Sequence, residues 1–267
     1  MNNQTTTEQA ASNTIRGSWG LPKPSIIERP SNSRPTLIQK QRRSTPLPEP
    51  LSVPWELRPA SSAQSGVETL ADGRKRYWVK HEVLKGVTPH MLAWWFANFA
   101  EGGVEIDGRL LNRYRVWHPF DHVYARYVRR APDGSGGPGA QIALCEYLAR
   151  NPRYKIEVVS TVEKVDETGF IHKVMRGGIQ LVRMEHVFTE TSTGTRDENC
   201  LIVPGSPRLL LLARILLPRL FPADKGKAWL KHSIEEVGTL PHFLPELYTR
   251  EAVHPRVVNG DSSYAIR

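Results

Sequence analysis

A histidine and a glutamate one helical turn apart form the first candidate for a chemically active site in this chain. They are His232 and Glu236. On a helix, residues i and i+4 project from one face, so an imidazole and a carboxylate could bind the same metal ion. The same pair is also an ordinary surface contact that stabilises a helix by about 0.2–0.5 kcal/mol. Two ligands do not complete a metal site, so other parts of the chain must supply the rest.

A second polar group lies in a segment where two histidines flank an aspartate. His118, Asp121 and His122 stand among aromatic residues there. Pro119 argues against a regular helix, so we expect these side chains to lie in a turn or loop. His122 is the candidate metal ligand. Whether His118 also takes part stays open, because either histidine could serve only to cap the turn.

A glutamate in a predicted strand is the third candidate. Residues 141–147 read as a strand, and counting by twos puts Glu146 on one face with Ile142 and Leu144. A carboxylate on the apolar face of a strand is costly unless it is paired or binds a metal. The alternative is that the opposite face, with Cys145, points inward. Glu146 would then lie at the surface.

Two further glutamates compete for the same role. A strand predicted over residues 155–165 places Glu157 and Glu163 on one face with apolar neighbours. Each could therefore supply the strand carboxylate in place of Glu146. The residue pattern alone does not choose among the three.

The order of the predicted elements indicates an α+β domain. Alternation and turn residues predict an antiparallel meander. A helix is predicted from Thr88 to about residue 100, with a proline at its first position. The predicted strands cover residues 76–83, 141–147, 155–165, 170–175, 179–191 and 200–203. This is the layout of a helix-grip domain, in which an antiparallel sheet wraps around a long C-terminal helix and leaves a cavity for a small, largely apolar ligand.

The C-terminal part is predicted to be helical in two pieces. One helix begins at Pro207 and bends or ends at Pro218. The last helix begins near Ala223, and Gly238 and Pro241 are expected to end it. Trp229 falls in one stripe with His232 and Glu236, so we expect the candidate ligands to face the interior. The remainder, with His242 and His254, is expected to be a tail along the surface.

Composition and charge set limits on the function. The chain has 267 residues, a formal net charge of +9 and a pI near 9.7. Eight basic and four acidic residues fall before residue 66, and the rest of the excess is spread thinly. No dense basic stripe and no zinc-finger, helix-turn-helix or RNP pattern is present, so we expect no nucleic-acid partner. Two cysteines cannot build a disulfide framework.

The N-terminal residues are rich in Pro and Ser and differ in character from the rest. We predict that residues 1–65 are a disordered or extended leader and that residues 66–267 form the helix-grip domain. No secretory signal pattern is recognised. The apolar run over 209–221 is too short for a bilayer span and contains two arginines and a proline. The expected location is the cytoplasm, without a membrane partner.

The segment from Trp117 to His122, followed far downstream by His232 and Glu236, resembles the 2,4-diacetylphloroglucinol hydrolase family, which includes phloretin hydrolase. The resemblance extends over roughly residues 77–248. It implies a Bet v 1-like fold and a zinc-dependent hydrolase that cleaves a carbon–carbon bond between an acyl group and a phenolic ring. The implied substrate is a small aromatic ketone, and a homodimer is compatible with the sequence.

The resemblance also implies a set of site residues. The zinc ligands would be two histidines and two glutamates, which correspond to His122, Glu146, His232 and Glu236. Tyr114 would contact the phenolic substrate, and Tyr114 and Glu146 are the candidate catalytic residues. An asparagine of the family just after the first histidine has no counterpart among residues 123–125. By ligand type alone, Fe²⁺ or Mn²⁺ would also suit this set.

The sequence leaves open two alternatives to this hydrolase function. One is an enzyme of secondary metabolism with the same fold that catalyses another metal-assisted step, namely a retro-aldol cleavage, a cyclisation or an isomerisation. The other is a non-catalytic carrier of an apolar ligand. Bound metal distinguishes both enzymes from the carrier.

Overall fold

An antiparallel sheet and the helix that lies against it make up most of the structure. The computed structural model describes residues 45–203 and 221–253. Within these ranges, nine strands form one sheet in the order β1-β2-β11-β10-β9-β8-β7-β6, with β3 paired to β11, and β4 and β5 form a separate hairpin. The strands are β1 (Ala63–Thr69), β2 (Lys75–His81), β3 (Leu84–Lys85), β4 (Gly103–Ile106), β5 (Arg109–Asn112), β6 (His122–Arg129), β7 (Gln141–Tyr147), β8 (Lys155–Asp166), β9 (Gly169–Arg176), β10 (Ile179–Thr191) and β11 (Gly194–Val203).

Three α-helices accompany the sheet in the described residues. They are α1 (Pro89–Asn98), α2 (Arg113–Trp117) and α3 (Ala223–Tyr248). The side chain of Thr88 accepts a hydrogen bond from the backbone N–H of Met91, so α1 begins at the N-cap that the sequence predicts. The sheet wrapped around the long α3 confirms the predicted α+β helix-grip class.

The core lies between the sheet and two helices. Trp95 and Phe96 of α1 are fully buried and pack in one cluster with Leu240 and Leu244 from the second half of α3. The first half of α3 contributes Trp229 to a second cluster against β2, β10 and β11. Because both halves of α3 bury one face, the helix is fixed along its whole length. Its inward residues therefore have defined positions relative to the sheet.

The last helix is longer than predicted. It continues through Gly238, Pro241 and Pro245 to Tyr248, although these residues predict a helix end. The apolar residues beyond Gly238 are the reason, because Leu240, Phe243, Leu244 and Leu247 are all buried in the core. Burial of such side chains contributes about 1.5–3 kcal/mol each, which offsets the backbone hydrogen bonds that proline removes. His242, predicted to lie in a tail, is part of this helix.

Several strands and one helix also differ from the predicted bounds. β11 begins at Gly194, six residues before the predicted start, because it pairs with β10 along its whole length. The predicted strand over 76–83 is divided into β2 and β3. The turn predicted around Pro119 is present over residues 118–121, but the short α2 precedes it and His122 is the first residue of β6. These differences reflect long-range pairing, which local patterns do not record.

The described part of the predicted leader packs on the domain. Residues 45–65 are described, and Leu51, Val53 and Trp55 contact the main core cluster. β1 spans the predicted boundary at residue 65. The predictions for residues 1–44, for the helix and apolar run over 207–220, and for the tail with His254 lie outside the described residues. None of the described helices combines the length and apolarity needed to cross a bilayer.

Candidate metal centre

Four buried side chains from three elements converge at one end of the sheet. His122 begins β6, and Glu146 lies opposite it in β7 as its cross-strand partner. His232 and Glu236 stand one turn apart on the buried face of α3. The structure thus brings together all four residues that the sequence singles out as metal ligands.

The facing atoms of these side chains lie at similar separations. Nε2 of His122 is 3.5 Å from Oε2 of Glu146 and 3.5 Å from Oε2 of Glu236. Nε2 of His232 is 3.5 Å from Oε2 of Glu146 and 3.6 Å from Oε2 of Glu236. These distances exceed those of direct hydrogen bonds. The four groups face one another across a gap.

His122 is oriented by a backbone carbonyl. Its Nδ1 lies 2.7 Å from the carbonyl oxygen of Tyr114, and a carbonyl can only accept, so Nδ1 is the donor. In the neutral ring, Nε2 then carries a lone pair, and this atom is buried without a hydrogen-bond partner among the described residues. The Tyr114 ring stacks on the imidazole at 3.8 Å between centroids. His122 is therefore presented as a ligand.

His232 is oriented by a carboxylate that the sequence analysis did not assign. Its Nδ1 donates to Oδ2 of Asp121 at 2.9 Å. Asp121 also accepts from the backbone N–H groups of Ala149 at 2.9 Å and Arg150 at 3.0 Å. A carboxylate that holds Nδ1–H fixes the tautomer and leaves Nε2 for a metal. In the sequence, the position of Asp121 between His118 and His122 was the feature that could have indicated this role.

The backbone turn that holds Asp121 is strained. Ala149 and Arg150 both have a φ of +53°, a left-handed conformation that costs about 1–2 kcal/mol per non-glycine residue. Two successive N–H groups point at one carboxylate as a result. Strain of this kind persists where the surrounding structure compensates for it, and it concentrates at functional sites.

The gap fits a divalent cation. Ligand bonds of 2.0–2.2 Å in a tetrahedral zinc site place neighbouring ligand atoms about 3.3–3.6 Å apart. Each nitrogen lies 3.5–3.6 Å from each carboxylate oxygen, which agrees with this length. The ligand atoms of His122, Glu146 and His232 all lie within 4.8 Å of one another. Two carboxylates and two neutral imidazoles carry a charge of −2, which a dication balances. Without a cation, the His122 lone pair would face carboxylates in a buried site, an arrangement that is strongly unfavourable.

The electrostatics of these four side chains also favour a bound cation. Burial opposes the charged forms, but Glu236 and Glu146 outweigh it and raise the pKa of His232 well above its usual value. Burial likewise raises the pKa of Glu236, yet His232 and His122 bring it below its usual range. The site therefore attracts positive charge, which a metal ion or a proton on His232 can supply.

Tyr114 lies in contact with the same cluster. Its hydroxyl donates to Oε2 of Glu146 at 3.1 Å, and burial followed by the Glu146 charge raises the pKa of the phenol well above its usual value. Tyr114 therefore stays protonated. Its hydroxyl proton is held by Glu146, so a ligand in the cavity meets the phenol oxygen as an acceptor.

An aromatic cavity adjoins the candidate ligands. Its volume is about 70 Å³, and Tyr114, Glu146, His232 and Glu236 lie in its wall. The other lining residues are mainly apolar: Phe96, Phe99, Trp117, Leu144, Phe170, Met184 and Trp229, with His172 and His186. A cavity of this size holds a few atoms of a ligand. A phenolic ring can enter only if side chains of the wall rotate.

Comparison with known proteins finds a family model that matches part of the chain. Residues 57–139 match the model of the DAPG hydrolase PhiG domain. The resemblance to the 2,4-diacetylphloroglucinol hydrolase family is confirmed over this range. The match includes Tyr114 and His122 and supports a hydrolase of this family. No curated protein sequence matches the chain significantly.

Solved structures resemble the chain at low sequence identity. Protein Ms6760 from Mycobacterium smegmatis has 15% identity and a TM-score of 0.41, with 67% of this chain and 96% of that chain covered. Protein NE0264 from Nitrosomonas europaea has 16% identity and a TM-score of 0.38, with 67% of this chain and 97% of that chain covered. A START superfamily protein from Mycobacterium smegmatis has 12% identity and a TM-score of 0.38, with 62% of this chain and 99% of that chain covered.

Two histidines opposite the candidate ligands were missed by the sequence analysis. His186 of β10 donates from Nδ1 to Oδ2 of the buried Asp197 at 2.8 Å, which leaves Nε2 for a ligand. His172 of β9 pairs with Ser160, and burial lowers its pKa to about 4. Both histidines alternate with phenylalanines along their strands. A histidine on such an apolar face was the feature of the sequence that could have indicated that these side chains point inward.

The competing glutamates lie away from the candidate metal centre. Glu157 accepts from Thr45 and Tyr124 at the surface, each at 3.2 Å. Glu163 forms ion pairs with Lys173 and Arg183. Neither carboxylate is available to the cluster in the described geometry, whereas Glu146 is. His118 stacks on His232 at 4.4 Å between centroids but does not face the gap between the ligands.

Proposed function

We propose that this protein is a zinc-dependent hydrolase that cleaves the carbon–carbon bond between an acyl group and a phenolic ring. The observation that supports it is the set of two imidazole nitrogens and two carboxylate oxygens beside an aromatic cavity, with each nitrogen 3.5–3.6 Å from each oxygen. The family match over residues 57–139 adds the class of reaction. Cytoplasmic location and a homodimer belong to the same proposal.

His122, Glu146, His232 and Glu236 would hold the metal. When bound, a divalent cation supplies Lewis-acid polarisation of an acyl oxygen and lowers the pKa of water toward neutrality. The chain itself must bind and orient the ring, exclude bulk water and move protons. Zinc suits this ligand set, and Fe²⁺ or Mn²⁺ fit it by ligand type.

Hydrolysis transfers the oxygen of water to the acyl carbon and a proton to the ring carbon. A polyhydroxylated ring can leave because its keto tautomer accepts the electron pair of the broken bond. Tyr114 and Glu146 share a proton through a hydrogen bond of 3.1 Å and border the cavity. They are placed to accept the proton of the attacking water and return it.

The far wall of the cavity offers a second proton site. His186 is held by Asp197, and its remaining nitrogen is free to contact a phenolic oxygen or the ring carbon. Phe96 and Phe170 stack at 4.5 Å beside it and form an apolar surface suited to a ring. Entry of the ring requires the wall to open, and Met184 is its most adaptable member because its side chain is unbranched.

A substrate panel tests the proposal. Zinc-loaded protein is incubated with mono- and diacylphloroglucinols, and the released carboxylic acid and deacylated ring are measured by chromatography. Equimolar acid and ring are expected, with activity lost after chelation and restored by zinc. Tight metal binding without release of acid from any acylphenol would favour another metal-assisted step. Absence of bound transition metal in protein purified without chelator would contradict the enzyme and favour a carrier.

A further inference from the structure

A second and larger cavity lies apart from the metal centre. Its volume is about 660 Å³, and it shares no lining residue with the cavity at the candidate ligands. We call it the outer cavity. Residues 51–53 and 55–57 form one side, and Phe120 and Ala149 contribute to the other. Its polar lining includes His118 and Glu235. Its volume lies in the range of about 300–1,000 Å³ that is typical of small-molecule sites.

The outer cavity has a buried donor without a partner. Nδ1 of His118 accepts from the backbone N–H of Asp121 at 3.1 Å, so Nε2 carries the ring hydrogen. Nε2 makes no hydrogen bond within the described residues, although the side chain is only 1% exposed. An N–H group cannot bind a metal through its occupied nitrogen. His118 is therefore a donor to a ligand rather than a metal ligand, although it lies close to Asp121 and His232.

An unused acceptor faces this donor. Oε1 of Glu235 accepts from Lys231, and Oε2 lies 3.4 Å from Nε2 of His118. That separation is too long for a good hydrogen bond. A hydroxyl oxygen can lie within about 2.8 Å of both atoms, because it accepts from the imidazole N–H and donates to the carboxylate.

The charges around the outer cavity disfavour an anion. Lys231 is paired with Glu235, and the Arg150 guanidinium donates to the carbonyl oxygens of Phe120 at 3.0 Å and Pro48 at 3.2 Å. Both cations are therefore engaged. Glu56, Asp121 and Glu235 place three carboxylates in the wall, where they repel a negative ligand. A neutral ligand avoids this repulsion.

We propose that the outer cavity binds an uncharged aromatic alcohol. Its hydroxyl group bridges Nε2 of His118 and Oε2 of Glu235, and its rings pack against Trp55 and the neighbouring apolar side chains. The site is separate from the metal centre and does not depend on the reaction proposed for that centre. It has a structural connection to it, because Asp121 borders the outer cavity and holds His232.

Calorimetry with three matched probes tests the recognised group. The zinc-loaded full chain is titrated with 2-naphthol, 2-methoxynaphthalene and 2-naphthoate. Binding of 2-naphthol at one site per chain is expected, about tenfold or more tighter than the ether, which cannot donate, and the carboxylate, which is repelled. Equal affinity for the alcohol and the ether would overturn the proposal, as would preference for the carboxylate.

Variants locate the site. In Glu235→Gln the preference for 2-naphthol over its ether should fall below about threefold, since a neutral acceptor forms the weaker bond. Glu56→Gln changes another carboxylate of the same cavity and should keep the preference. Ser52→Trp fills the cavity from an exposed position and should abolish binding, which keeps the test valid if Glu235→Gln unfolds. Loss of binding in Glu236→Gln, with Ser52→Trp unaffected, would place the probe at the metal centre and contradict the proposal.

Discussion

Oδ2 of Asp121 lies 2.9 Å from Nδ1 of His232, on the side of the imidazole opposite the candidate metal gap. The carboxylate receives three N–H donors, one from His232 and two from the strained turn at Ala149 and Arg150. The chain thus links a turn at the end of β7 to a candidate ligand on α3. Asp121 determines which nitrogen of His232 faces the candidate metal site.

Asp121→Asn should weaken zinc binding. Three N–H groups donate to the Asp121 carboxylate, whereas an amide has only one acceptor oxygen and adds an NH₂ donor. The orientation of His232 is then lost, and the affinity for zinc should fall about 10–100-fold. Competition with a chromophoric chelator measures the change. Asp72→Asn, at an exposed turn between β1 and β2, is the control and should bind zinc like the wild type. Unchanged affinity in Asp121→Asn would mean that His232 is not a ligand.

His232→Ala and Glu236→Ala should each release the metal, because each removes one of the four proposed ligands, and Glu236→Ala also leaves a dication with only one carboxylate. Metal content of the purified proteins is measured by mass spectrometry. Glu246→Ala, at an exposed position of the same helix, should retain full occupancy. Full occupancy in either of the first two variants would refute the ligand assignment.

Tyr114→Phe should separate binding from chemistry. The ring still stacks on His122, so zinc should stay bound, but Glu146 loses its 3.1 Å donor. Turnover of an acylphloroglucinol should fall by about 10²-fold or more, as expected for removal of an acid–base group. Steady-state kinetics on zinc-loaded protein measures it. Wild-type turnover at full zinc occupancy would remove Tyr114 from the reaction.

Thr239→Val should destabilise the junction between α2 and α3. The buried hydroxyl of Thr239 has one hydrogen, which it can donate to the carbonyl oxygen of Trp117 at 2.9 Å or to that of Glu236 at 2.7 Å. Its loss leaves buried acceptors without a donor and should lower the free energy of unfolding by about 1–3 kcal/mol. Urea denaturation measures this. Thr249→Val, which removes an exposed hydroxyl bonded to Pro245, should change stability by less than about 0.5 kcal/mol.

Acid should destabilise the fold through buried histidines. Burial lowers the pKa of His81 to about 4, from 6.5 in the unfolded chain. Below pH 6.5 the unfolded state binds more protons, so stability is fully present above this value and falls as the pH drops toward 4. The contribution of His81 is at most about 3 kcal/mol.

Urea denaturation of zinc-free protein at pH 7.5, 6 and 5 measures this loss. The slope of stability against pH should be smaller in His81→Phe. His90→Phe should keep the wild-type slope, because His90 is 62% exposed. An unchanged slope in His81→Phe would show that His81 is not buried in the neutral form.

The sequence by itself predicted the candidate ligands and determined the class of fold. A spacing of four residues on a helix indicates His232 and Glu236, and alternation in a strand makes Glu146 a candidate. Both signals depend only on local periodicity. The same periodicity predicted most strands of the meander and the start of α1. The family resemblance, carried by the segment from Trp117 to His122, was confirmed over residues 57–139.

Only the tertiary structure decided which carboxylate meets the histidines and how the histidines are oriented. Glu146, Glu157 and Glu163 look alike as glutamates in strands, and cross-strand register with His122 distinguishes Glu146. Asp121 reaches His232 across 111 positions of the chain. α3 continues past Gly238 and Pro241 because its later residues are buried against α1. Register and burial are sums over distant contacts, and no local pattern contains them.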